Sequence, residues 1–163
     1  MGGTSNGVMF LIVHATVGAM IGDNLEPPAV GFLAGLLSHF FLDAIPHGDE
    51  LLERELARPG RIHWLAALAI LDGLAAISLV VVLWLGGFLN NAAGAFGGAV
   101  GAILPDVFLG LSELSKKKLW PDFLRFHDWN HRIINIELSL YFGGLIQAAV
   151  LLIVLRLFGL TIF

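Results

Sequence analysis

The chain contains no cysteine and few charged residues. Of its 163 residues, 57% are hydrophobic and 13% are charged, and the mean hydropathy is +0.84. Without cysteine, neither disulfide bonds nor thiolate metal sites can form. A soluble domain of this length would carry roughly twice that charged fraction, so the composition is typical of an integral membrane protein. The net charge of −4 gives no indication of nucleic-acid binding, and no nucleic-acid partner is expected.

Apolar runs predict an all-α, polytopic membrane helix bundle. No linker, repeat or low-complexity segment divides the chain, so residues 1–163 are expected to form a single transmembrane helical domain. About five spanning helices are predicted, with four or six as alternatives. The first two runs are close to or below the roughly 17 residues that a spanning helix needs. The five runs cover residues 8–21, 29–45, 62–85, 88–111 and 136–158.

Basic residues are concentrated on one side of this predicted bundle. With five spans, residues 46–61 and 112–135 lie on the same side as the N-terminus and hold eight of the nine Lys and Arg residues. The positive-inside rule therefore predicts a cytoplasmic N-terminus and an outside C-terminus in the cell inner membrane. Residues 116–129, KKKLWPDFLRFHDW, alternate cations with large apolar side chains, which predicts an interfacial segment in contact with membrane lipids.

Glycines recur at four-residue spacing within the predicted helices. Small residues at this spacing let helix backbones approach closely, so these glycines are expected to form packing surfaces rather than phosphate-binding loops. The pairs are Gly18 and Gly22, Gly31 and Gly35, Gly94 and Gly98, and Gly97 and Gly101.

Ionisable residues within apolar runs are the main candidates for function, because a charge in hydrocarbon is expensive. His39 and Asp43 are four residues apart and share a helix face, as do His127 and His131. At a rise of 1.5 Å per residue, six candidates map to one layer near the cytoplasmic edge. They are His14, His39, Asp43, Asp106, His127 and His131.

Imidazole and carboxylate side chains at one depth predict a divalent metal site. Zinc is the first choice, with manganese or iron as alternatives. Catalytic zinc needs three protein ligands and an open water position, which is more than one histidine pair supplies. We therefore expect His127 and His131 to bind the same metal as Asp43 and Asp106.

Each candidate also has a structural alternative. His14 could be a hydrogen-bonded packing residue, and His39 with Asp43 a structural polar pair. Asp106 follows Pro105 and could end or kink its helix. Asp72 is predicted to form a hydrogen bond between helices, and Asp128 is predicted to be exposed.

At these residues the chain resembles the YdjM-type membrane-bound metal-dependent hydrolases, small inner-membrane proteins of bacteria and archaea. The resemblance rests on His14, SHFFLDAIPHGD (38–49), AILPD (102–106) and FHDWNHR (126–132). The chain departs from the family pattern after Asp106, where VFLGL replaces a second Asp and a His. Its His-x-x-x-Asp element also precedes the proline–aspartate rather than following it. The resemblance implies hydrolase activity, with the six residues of the layer as the metal site.

The predicted mechanism is metal-assisted hydrolysis at the cytoplasmic interface. A bound metal would lower the pKa of its water to around 7 and polarise a phosphoryl or acyl oxygen. Asp43 or Asp49 is expected to orient the water or act as general base. The expected substrate is a lipid phosphoester or another amphipathic molecule, and the oligomeric state is left open. A metal-ion or proton transporter using the same cluster is the alternative, and a structural protein is a third reading.

Overall fold

The computed structural model describes residues 10–46, 62–115, 119–134, 136 and 138–159. Within these residues the chain forms six α-helices and no strand, so the predicted all-helical class is confirmed. Five helices correspond to the five apolar runs, and the remaining one, α5, overlaps the predicted interfacial segment. The helices are α1 (Leu11–Asp23), α2 (Pro28–Asp43), α3 (Ile62–Leu85), α4 (Ala92–Ser115), α5 (Pro121–His131) and α6 (Leu140–Leu157).

Helix length separates two of these helices from the others. Among the described residues, α3 over Ala66–Leu85 and α4 over Ala92–Ser112 are long and apolar enough to cross a membrane. Helices α1 and α2 are also apolar but shorter. The 13 residues of α1 extend about 20 Å, against roughly 30 Å for a hydrocarbon core. Length and composition thus support two of the five predicted spans.

Helices α1 and α4 touch through their backbones. A Cβ atom added to Gly18 would collide with the carbonyl oxygen of Gly98, and one added to Gly22 would collide with that of Gly94. The reversed order of these pairs makes the two helices antiparallel. The prediction that these glycines are packing surfaces is confirmed, since no side chain could fit at the contact.

Helix α2 packs against α4 in the parallel direction. Gly31 lies against Gly94, and Gly35 lies against Gly98, so the order along both helices is the same. Gly98 is therefore in contact with both α1 and α2. These three helices form the close-packed centre of the bundle.

The start of α1 is held by side chains from two other helices. Phe10 precedes α1 and supplies no side-chain cap. The backbone N–H groups of Leu11 and Ile12 donate to the two carboxylate oxygens of Asp72 in α3, the second at 3.2 Å. The N–H of Phe10 donates to Oε1 of Gln147 in α6 at 3.0 Å. These bonds satisfy donors that a helix start leaves without intrahelical partners, and the prediction for Asp72 is confirmed.

Near the opposite end, the contacts of α1 with α3 and α6 are apolar. Met20 of α1 packs there with Leu83 of α3 and Leu155 of α6. Since Asp72 and Gln147 contact the start of α1 while Leu83 and Leu155 pack near its end, helices α3 and α6 run in the same direction as α1. Helices α2 and α4 run in the other direction. The start of α1 consequently meets the ends of α2 and α4.

Candidate metal centre

The six predicted metal-site residues come together at the end of the bundle where α1 starts. His14 lies in the first turn of α1, and Asp106 follows Pro105 within α4. The last two turns of α2 supply one pair, and α5 supplies the other. All six are buried, with at most 7% of the residue surface exposed. They are His14, His39, Asp43, Asp106, His127 and His131.

Asp43 lies at the centre of the group. Its Oδ2 atom is 2.8 Å from Nε2 of His39 and 3.3 Å from Nε2 of His127. The same oxygen is 3.1 Å from Nε2 of His131. Its Oδ1 atom is 3.1 Å from Nε2 of His14. Four imidazole nitrogens from three helices therefore converge on one carboxylate.

Asp106 faces the same nitrogens from α4 at longer range. Its Oδ1 atom is 3.9 Å from Nε2 of His39 and 3.7 Å from Nε2 of His127. Its Oδ2 atom is 3.9 Å from Nε2 of His14. Ligand atoms at 2.0–2.1 Å from a tetrahedral ion lie about 3.3 Å from one another. The distances around Asp43 and Asp106 bracket this value, which is the spacing expected around a shared ion.

Hydrogen bonding assigns the tautomer of His39. Its Nδ1 atom is 2.8 Å from the carbonyl oxygen of Ala102, which can only accept, so Nδ1 carries a proton. In the neutral ring, Nε2 then presents a lone pair to the carboxylate of Asp43 and to Nε2 of His127, 3.1 Å away. Facing lone pairs repel one another. A cation, or a proton on His39, His127 or Asp43, must therefore lie among these atoms.

Four of the six residues form a buried group that could hold a metal ion. One donor atom from each of His39, Asp43, Asp106 and His127 lies within 4.8 Å of every other. In the described part of the chain, the four oxygens of Asp43 and Asp106 face imidazole nitrogens and accept no hydrogen bond from a backbone, hydroxyl or amide group. Burying carboxylates without compensation costs several kcal/mol per ion. A bound cation would supply that compensation.

Helix α5 brings its two histidines to the site by docking on the end of α2. The Nδ2 atom of Asn130 donates to the carbonyl oxygen of Phe40 at 2.8 Å. The ring of Phe40 lies edge-on to that of His127. The prediction that Asp128 is exposed is wrong: it is buried because α5 packs its polar face inward, and Arg132 one turn later pairs with it.

Several contacts at the site were not predicted. The carbonyl of Ala102 and the amide of Asn130 act through hydrogen bonds that connect distant parts of the chain, and spacing along the sequence carries no signal for them. The predicted catalytic residue Asp49 lies outside the described residues. That the six residues ligate a metal ion stays a prediction.

Comparison of the chain with protein-family models, curated proteins and solved structures gives no significant match. The resemblance to YdjM-type hydrolases therefore stays a prediction as well. The case for function rests on the chemistry of the buried His/Asp group.

Proposed function

We propose that this protein is a membrane-embedded, metal-dependent hydrolase that uses zinc, with manganese or iron as the alternatives. The observation that carries the proposal is the convergence of four imidazoles on two buried carboxylates. Neutral imidazole and carboxylate are the ligands of catalytic zinc. Four helices must fold together to form this group, so it is not a chance surface cluster.

Hydrolysis is the chemistry that such a centre supports. A divalent ion here would acidify a water molecule and polarise the oxygen of the bond to be cleaved. In a phosphoester, the water oxygen bonds to phosphorus while the bond to the ester oxygen breaks. A base takes one water proton, and the departing alcohol gains a proton. Asp43, whose carboxylate lies at the centre of the group, is the candidate base in the described residues, and Asp49 is the second candidate.

The outer surface supports a location in the membrane with access from the lipid interface. Helix α3 presents large apolar side chains outward along its length, including Ile70, Ile77 and Val82. Around α5, Trp120 and Trp129 are exposed, and so is the side chain of Arg125. Aromatic and basic side chains together are typical of a segment at the headgroup level. A lipid phosphoester is therefore the proposed substrate.

The packing beyond the site argues against the transporter alternative. An ion crossing the membrane would need polar groups or water along its path. Immediately beyond the cluster, the backbones of α1, α2 and α4 touch at Gly18, Gly35 and Gly98. This contact closes the centre of the three-helix core on that side.

The test is to measure metal content and lipid hydrolysis in matched variants. Asp106→Asn removes a charged ligand, whereas Asp122→Asn changes an exposed aspartate of α5. We expect Asp106→Asn to lower zinc affinity by at least about tenfold, the cost of losing even an outer-shell partner. Phosphate release from phosphatidic acid in mixed micelles should fall with it, and Asp122→Asn should match the wild type.

Two results would contradict the proposal in different ways. Equal zinc content and hydrolysis in Asp106→Asn would show that this carboxylate is no part of a metal site. Stoichiometric zinc without hydrolysis of phosphatidic acid or phosphatidylglycerol would leave a metal site and refute the lipid phosphoesterase. Zinc uptake into proteoliposomes would then favour the transporter.

A further inference from the structure

The two carboxylates of the cluster each have one oxygen on either side of it. Oδ1 of Asp43 and Oδ2 of Asp106 face Nε2 of His14, at 3.1 and 3.9 Å. The other oxygen of each faces His39 and His127, at distances of 2.8–3.9 Å. His131 lies on this second side as well, with its Nε2 atom 3.1 Å from Oδ2 of Asp43. The donor atoms therefore fall into two sets that share both carboxylate groups.

We propose that the site binds two metal ions bridged by Asp43 and Asp106. The first ion lies among the nitrogens of His39 and His127 and one oxygen of each aspartate. The second ion lies between Nε2 of His14 and the remaining oxygens. The proposal rests on the metal site of the proposed function and adds a second position to it. Because both oxygens of Asp43 would then bind metal, Asp49 is the candidate base in this arrangement.

His14 is the residue that a single ion on the His39 side leaves unexplained. It is fully buried, and its Nε2 atom faces an oxygen of each aspartate, 3.1 Å from Asp43 and 3.9 Å from Asp106, on the side away from His39 and His127. Even with the first ion in place, His14 Nε2 and the two carboxylate oxygens beside it would lack a cation. A second ion satisfies all three atoms.

A two-ion site also narrows the substrate class. One divalent ion would cancel the charges of Asp43 and Asp106, whereas two would leave the site positive. Pairs of ions about 3.5–4 Å apart stabilise both the attacking and the leaving oxygen in phosphoryl displacement. The second ion would have three protein donors and therefore open positions for substrate. The bridged site suits an anionic phosphoester better than a neutral acyl ester.

Manganese binding tests the second position independently of turnover. Protein purified in detergent is loaded with Mn²⁺, its metal-to-protein ratio is measured, and its electron paramagnetic resonance spectrum is recorded. The variants are His14→Gln, His127→Gln and His63→Gln, the last replacing an exposed histidine of α3. We expect two exchange-coupled ions in the wild type and in His63→Gln. In His14→Gln we expect one uncoupled ion with a six-line spectrum.

The wild-type spectrum decides the proposal even if a variant fails to fold. A single Mn²⁺ in the wild type that survives in His14→Gln and is lost in His127→Gln would overturn the second position and leave a one-metal hydrolase intact. Two ions without magnetic coupling would also overturn the bridge. Absence of bound Mn²⁺ and Zn²⁺ from the wild type would overturn the proposed function itself.

Discussion

Gly98 is where the three central helices meet, and replacing it with alanine tests how closely their packing is fixed. The added Cβ would collide with the carbonyl oxygen of Gly18 and lie 2.8 Å from its carbonyl carbon and 3.0 Å from Cα of Gly22. All of these atoms are backbone, so no side-chain rotation can relieve the contact. Helix α1 would have to move away from α4.

The expected cost follows from two opposing terms. Overpacking a close-packed core costs about 1–3 kcal/mol, whereas alanine is favoured over glycine in a helix by roughly 0.8–1.0 kcal/mol. Gly110→Ala in the same helix is the matched control, because nothing lies within 4 Å of its added Cβ. The control gains the higher helix propensity of alanine without the clash. The difference in the free energy of unfolding between the two variants therefore gives the packing cost alone, about 1–3 kcal/mol.

Thermal unfolding in detergent, followed by tryptophan fluorescence, measures this difference. At roughly 2–4 °C per kcal/mol for a chain of this size, Gly98→Ala should melt several degrees below Gly110→Ala. Metal affinity should also fall, because His14 lies one turn before Gly18 and is displaced with α1. Equal melting temperatures and equal metal affinities in the two variants would refute the argument that backbone contact at Gly98 positions the site.

Two further predictions concern the position of α1 and the orientation of the chain. Asp72→Ala should lower the free energy of unfolding by about 0.5–2 kcal/mol, the usual effect of losing a helix cap, and should weaken metal binding through His14. Melting curves and metal titrations beside Asp122→Ala, which replaces an exposed aspartate, measure both effects, and unchanged values would mean that the cap is dispensable. Because the chain lacks cysteine, single-cysteine variants report topology directly. On intact cells, a membrane-impermeant thiol reagent should label Asn90→Cys, and it should label Arg125→Cys only after permeabilisation. The reverse pattern would show that the site faces outward.

The composition of the site could be predicted because its signals are local. His39 with Asp43 and His127 with His131 each recur after one helical turn, and a turn is set by backbone geometry alone. The alternating direction of the helices then places the start of α1 beside the ends of α2 and α4. Depth along each run was enough to group His14 and Asp106 with the two pairs, without any knowledge of side-chain contacts.

Helix ends were harder to predict because tertiary hydrogen bonds determine them. The first apolar run was predicted over residues 8–21, whereas α1 is Leu11–Asp23. Asp23, which hydropathy leaves out of the run, ends α1 and accepts the backbone N–H groups of Asn90 and Asn91 at 2.7 Å each. Asp128 was predicted to be exposed because its charge is visible in the sequence and the fold of α5 against α2 is not.

The arrangement of rigid and loosely held parts suggests how the site assembles. Backbone contacts fix α1, α2 and α4, so His14, Asp43 and Asp106 cannot separate without opening the core. The histidines of α5 instead depend on side-chain contacts such as the Asn130–Phe40 hydrogen bond, and one such bond contributes only about 0.5–1.5 kcal/mol. Binding of a metal ion by the histidines of α5 would strengthen this docking. The buried carboxylates would then gain their cation in the same step that brings α5 onto the bundle.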